Sequence, residues 1–150
     1  MAKGFAAGEP VTVILGDNIF DNTLMDPIIL NLSKAYMFTK KVNNPERFGV
    51  VSLVESGHSG TPMIVEKPKN HVGNQAVIGL YIYPNNVFDI IPYLSPSARG
   101  ELEVTDLNNH YLLEDKAELI EFKGFWSDAG TFDSLLECSN WAKKQSLLDK

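Results

Sequence analysis

Along the chain, short runs of β-branched and aromatic residues alternate with clusters of Gly, Asn, Pro and Ser. Val11-Thr-Val-Ile-Leu15 is almost continuously apolar, which predicts a strand buried within a parallel or mixed sheet. It stops abruptly at Gly16-Asp17-Asn18. Loose apolar spacing from Leu24 to Tyr36, with Pro27 near its start, predicts a helix. Phe48–Glu55 and Thr61–Glu66 predict two strands, joined as a hairpin by the turn Ser56-Gly-His-Ser-Gly60. Ala76–Tyr83 predicts a strong strand bounded by Gly73-Asn74 and Pro84. Asn85 or Asn86 is placed to cap a short helix toward Tyr93, and Thr105 or Asp106 a longer one through Leu113. Glu118–Phe122 and a segment ending at Phe125–Asp128 predict two more strands. Ala129-Gly130 turns the chain, and Thr131 caps a last helix from Phe132 to about Leu147, with Leu135, Leu136 and Ala142 on one face.

Strands interleaved with helices give an α/β class, and the hairpin argues for a mixed sheet flanked by helices. The length of 150 residues suits one domain, residues 1–150. A buried strand over Val11–Leu15 needs neighbours on both sides. The first ten residues supply none, so further chain is expected before residue 1.

Composition narrows the function. Hydrophobic residues make up 44% and charged residues 21%, ordinary for a soluble protein. A formal net charge of -6 argues against a general nucleic-acid binder. It leaves room for an anionic small ligand, which needs only a few local cations. The one cysteine, Cys138, forbids an internal disulfide, and no apolar stretch reaches membrane-spanning length. A cytoplasmic location is expected.

Four segments carry candidate chemistry. In Leu15-Gly16-Asp17-Asn18, Asp17 at a strand end either holds a hard cation such as Mg²⁺ or closes a local turn. In Val65-Glu66-Lys67-Pro68, a carboxylate beside an ammonium suits a ligand with hydroxyls at one end and phosphate at the other; the alternative is a solvated strand end. Arg99, on a loop beside Gly100, either reaches a phosphate or forms a surface ion pair. Trp126-Ser127-Asp128 repeats the strand-end aspartate, and Asp17 and Asp128 can share one metal if their strands are neighbours. Trp126 walls a ligand or fills the core. His58, His71 and His110 lack metal-ligand spacing, and no phosphate-cradling glycine loop or Gly-x-Ser-x-Gly elbow occurs.

Taken together, Leu15–Phe20, Asn44–Val50, Val65–Pro68, Ala76–Tyr81, Pro96–Asp106 and Trp126–Thr131 resemble the glucose-1-phosphate thymidylyltransferases, sugar nucleotidyltransferases, in order and spacing. The resemblance runs from about Gly4 to Leu148. It implies part of a Rossmann-like nucleotide-diphospho-sugar transferase fold. The implied reaction is Mg²⁺-assisted transfer from dTTP to glucose 1-phosphate, giving dTDP-glucose and pyrophosphate; UTP and CTP are the alternative donors. By the same resemblance, Asp17 and Asp128 hold the metal, and Lys67 and Arg99 neutralise the sugar phosphate. Glu66 binds glucose hydroxyls, helped by Asn18 and by backbone at Gly49 and Val77, with Trp126 near the reacting groups. Homo-oligomers are implied as well. The family's opening Gly-Gly-x-Gly-Thr-Arg-Leu loop has no counterpart, so a sugar-phosphate-binding portion is expected, with non-catalytic binding as the alternative activity. Phe48 stands where many members have tyrosine, and Ala129 where threonine is commoner.

Overall fold

The computed structural model describes residues 2–21, 23, 30–52, 60–97 and 100–148. The predicted turn at 56–59 with His58, the body of the predicted helix at 24–29, and Arg99 lie outside these residues.

The sheet is built around β6 (Gln75–Tyr83), whose residues 76–81 are all buried, as a strand covered on both faces must be. On one side β6 pairs antiparallel with β3 (Ala35–Lys41), which pairs parallel with β7 (Ala117–Glu121). On its other edge β6 meets two short strands placed end to end. β1 (Val11–Ile14) faces Tyr83 to Leu80, and β4 (Gly49–Ser52) meets it at Val50 opposite Ala76. Among the described residues, Val77 and Ile78 therefore have no strand partner on that edge, and just past β1 the Gly79 carbonyl accepts from the Leu15 amide at 2.9 Å. β4 pairs antiparallel with β5 (Met63–Glu66), as the predicted hairpin requires. The sheet is thus mixed, with order β5-β4-β6-β3-β7 and β1 beside β6. A separate ribbon joins β2 (Asn18–Phe20) to β8 (Trp126–Asp128).

Side-chain alternation along β3 and β6 builds a core on each face. Ala35, Met37, Val77, Tyr81 and Tyr83 pack with Leu107, Tyr111 and Leu112 of α3 (Val104–Leu113) and with Val87 of α2 (Val87–Ile90). Tyr36, Phe38, Ile78 and Leu80 pack on the opposite face with Phe122 and Trp126. The register of β3 on β6 slips between Met37 and Thr39, where the single residue Phe38 lies opposite the three β6 residues between Tyr81 and Val77. Such a bulge bends a strand, and this one lies at the unpartnered stretch.

Several expectations are corrected. The first strand is not buried: Val13, Ile14 and Leu15 are 36%, 52% and 42% exposed, because β1 meets only β6 among the described residues. A one-turn helix, α1 (Ala2–Ala6), precedes it. The helix predicted toward Tyr36 gives way to turns at 31–34, where the Asn31 side chain accepts from the Ser33 amide and hydroxyl, and then to strand β3. Helix α3 begins with Glu103 at its cap rather than Thr105 or Asp106. The last helix, α4 (Phe132–Leu148), turns Ser134 and Cys138 inward and stacks Trp141 on Phe125 at 4.4 Å. Leu135 and Leu136 face outward at 50% and 60% exposure. Ser134 and Cys138 are small side chains on the face that turns inward, the helix packing beside β8. No helix among the described residues is long and apolar enough to cross a membrane.

Candidate functional site

The unpartnered stretch of β6 opens into a cavity of about 260 Å³. It is walled by Asp17, Asn18, Gly49, Glu66, Lys67, Val77, Trp126 and Asp128, all named from sequence. Arg47, Tyr81, Thr105 and Asn108 are among the other wall residues and do not figure among the sequence-predicted site residues. Arg47 lies inside the Asn44–Val50 motif, so a signal existed for it; Thr105 read as a helix cap, and nothing in the sequence marked Asn108.

At one end, the β2–β8 ribbon makes the two aspartates neighbours. Asn18 pairs with Asp128, and the Ala129 amide donates to the Asp17 carbonyl at 2.6 Å. A Cβ on Gly130 would lie 3.4 Å from Asp17 Oδ2 and 3.6 Å from Asp128 Oδ2, so both carboxylates reach one small region. Two carboxylate donors with no third His, Cys, Asp or Glu among the described residues suit a hard cation that draws its remaining ligands from water and phosphate. Arg47 Nη2 donates to Asp128 Oδ2 at 2.6 Å, and its guanidinium lies 5.2 Å from the Phe48 ring centre.

Asn18 is a hub. Its Nδ2 donates to Asp17 Oδ1 at 2.8 Å, while its Oδ1 accepts from the Gly79 amide at 3.0 Å and Trp126 Nε1 at 2.7 Å. A Cβ on Gly79 would fall 2.7 Å from the Asn18 amide group, so only glycine admits this bond. Trp126 fills the core and walls the cavity at once, edge-on to Phe48 at 5.5 Å.

The other end is the tip of β5. Gly49 faces Glu66 across the hairpin, and Thr105 Oγ1 donates to Glu66 Oε2 at 2.6 Å, fixing the carboxylate's direction. Lys67 Nζ stands 3.9 Å from Glu66 Oε1. Lys67 also holds a left-handed backbone, φ 42°, a strained choice for a residue with a Cβ. Its amide donates to the Phe48 carbonyl at 3.0 Å, which helps hold it there. Behind Glu66, burial and the nearby carboxylate charge push the Tyr81 hydroxyl up to about 12. Tyr81 and Tyr83 stack at 5.9 Å, and the Tyr83 hydroxyl donates to Asn108 Oδ1 at 2.7 Å. The cavity thus has an acceptor-rich end braced by hydroxyls, a lysine beside it, and an aspartate pair opposite.

Residues 1–145 match the nucleotidyl transferase family model. The chain is 38% identical over 150 residues to glucose-1-phosphate thymidylyltransferase of Neisseria meningitidis, covering 95% of this chain and 51% of that protein. The enzyme of the same name from Mycolicibacterium smegmatis is 37% identical over 154 residues, covering 95% and 53%. Among solved structures, a glucose-1-phosphate thymidylyltransferase from Bacillus anthracis in complex with sucrose superimposes with a TM-score of 0.75 at 37% identity, covering 94% of this chain and 57% of that one. A UDP-glucose pyrophosphorylase complexed with UDP-glucose shares the fold, with a TM-score of 0.76 at 23% identity over 96% of this chain and 60% of that one. The chain spans about half the length of the curated relatives it matches.

Proposed function

Because the chain belongs to the nucleotidyl transferase family, we propose that its cavity takes glucose 1-phosphate for transfer of a thymidylyl group from dTTP, giving dTDP-glucose and pyrophosphate. The observation that carries this reading is that one cavity joins the Glu66–Lys67 strand tip to the Asp17–Asp128 pair. Glu66, held by Thr105, accepts from sugar hydroxyls, and Gly49 and Val77 present backbone beside it. Lys67 neutralises the sugar phosphate, and Arg99 joins it. An oxygen of that phosphate attacks the α-phosphorus of the triphosphate, the α–β bond breaks, and pyrophosphate leaves. Such a step needs positioning and charge neutralisation rather than a protein nucleophile. Asp17 and Asp128 would hold Mg²⁺, which when bound offsets the negative charge shared by the phosphates.

Asn18 acts by holding Asp17 and Trp126 in place, since its amide is committed to them and to Gly79. A cytoplasmic location and a homo-oligomeric state go with this reading, and gel filtration tests the second.

A second reading is sugar-phosphate binding in the same cavity without turnover. Titration calorimetry with glucose 1-phosphate and with dTTP, each with Mg²⁺, joined to a pyrophosphate-release assay, separates the two. Turnover supports transfer, and a panel of dTTP, UTP and CTP then ranks the donors. Saturable sugar-phosphate binding, weakened at least tenfold by Lys67→Ala and without turnover, supports the second reading. A phosphate-directed ammonium is worth roughly that much. Binding of neither ligand removes both readings.

A further inference from the structure

The ion pair between Arg47 and Asp128 is unusual in its setting. Asp128 is one of the two carboxylates that converge beside Gly130, yet its Oδ2 is engaged by a guanidinium at 2.6 Å. The pair is only partly exposed, at 35% for the arginine side chain and 19% for the aspartate. Arg47 ends a short 3₁₀ turn, Pro45–Arg47, and its guanidinium lies over the Phe48 ring. It borders the cavity on one side and a second hollow of about 510 Å³ on the other.

Two carboxylates this close repel each other and favour a nearby positive charge. Arg47 supplies one within the chain. A divalent cation supplies a larger one, and the Asp128 oxygen that reaches the region beside Gly130 is the one that Arg47 holds. We propose that Arg47 and the divalent cation compete for Asp128, so that Arg47 keeps the aspartate pair neutralised until the cation displaces it. This rests on the metal reading of Asp17 and Asp128. The displaced guanidinium stays on the wall shared by the two hollows, held by Phe48, with its fork of donors free to meet a ligand phosphate.

The test is Mn²⁺ titration of the chain, with free ion read by electron paramagnetic resonance and folding checked by circular dichroism. Arg47→Gln is expected to bind Mn²⁺ about tenfold more tightly than the unmodified chain, because a charge-assisted hydrogen bond no longer competes. Arg47→Lys, which retains a charge with different packing, should stay near the unmodified affinity. Adding Asp128→Asn to Arg47→Gln should remove the gain. A purely structural role for Arg47 predicts the opposite sign, since a loosened Asp128 binds the ion less well. Unchanged or weaker binding in Arg47→Gln, with Asp128→Asn still lowering the affinity of the unmodified chain, overturns the competition and leaves the metal reading intact. Mn²⁺ binding indifferent to Asp17→Asn and Asp128→Asn, or absent from every variant, overturns both.

Discussion

Lys67 combines charge and strain in one residue. Its side chain faces the cavity while its backbone sits at φ 42°, where a Cβ costs about 1 kcal/mol relative to glycine. Replacing it by glycine removes the charge and the strain together, whereas alanine removes the charge and keeps the strain. Lys67→Gly should therefore be about 1 kcal/mol more stable than Lys67→Ala in denaturant titration, while both bind sugar phosphate equally poorly. Equal stability would show that the surrounding bonds, including that to the Phe48 carbonyl, do not force the conformation. The sequence displayed Glu66 and Lys67 as adjacent charges but not this backbone, because φ is imposed by the tertiary bond. Arg47 shows the same limit: its motif was visible, its partner 81 positions away was not.

At the scale of elements, the sequence was most legible where a strand has firm boundaries. β6 emerged within a residue of Ala76–Tyr83, and β5, β7 and β8 lay inside or beside their predicted ranges. β3 was missed. Ala35-Tyr-Met-Phe-Thr39 is buried on both faces, so it lacks the alternation that separates a strand from a buried helix. The cap of α4 was read correctly: Thr131 Oγ1 accepts from the Ser134 amide at 3.2 Å, and Ser134 Oγ accepts from the Thr131 amide at 3.1 Å. Thr131→Ala should lower stability by about 1 kcal/mol, measured by thermal or urea unfolding, with Thr131→Ser restoring most of it. The apolar face of that helix differs from the predicted one because Ser134 does not look like a core residue in a hydropathy pattern, whereas the exposed Leu135 and Leu136 do; Cys138 is buried, as expected of an inert thiol.

For the whole molecule, the stacked tyrosines between sheet and α3 set an alkaline limit. Burial, with the charge of Glu66 beside it, pushes Tyr81 up to about 12; burial, with Glu114 nearby, does the same to Tyr111, and Tyr83 moves the same way. Each folded value lies above the unfolded value near 10, so the folded state keeps protons that the unfolded chain releases. The stability this lends is complete below pH 10 and is lost as pH rises from about 10 toward 12. In a titration followed at 295 nm and by circular dichroism, these three tyrosines should ionise only as the fold is lost. Ionisation with the ellipticity intact would mean that water reaches the stack. The candidate site was legible as a set of strand-end motifs, but its assembly depends on two pairings, β2 with β8 and β4 with β5, that bring residues 17, 49, 66 and 128 together. The β4–β5 pairing follows from a hairpin legible in the sequence, whereas no local pattern encodes the pairing of β2 with β8.

The gap between β1 and β4 along β6 has a consequence for how this site can diversify. Its width is the difference in length between one long strand and two short ones, a quantity counted in whole residues. Point substitutions repaint the walls and leave the aperture as it is. A one-residue insertion that extends β1 past Ile14, or β4 ahead of Gly49, would carry backbone into the opening. The gauge of the ligand is thus inherited through strand length, and families built on this frame should change the size of what they accept in steps rather than by degrees.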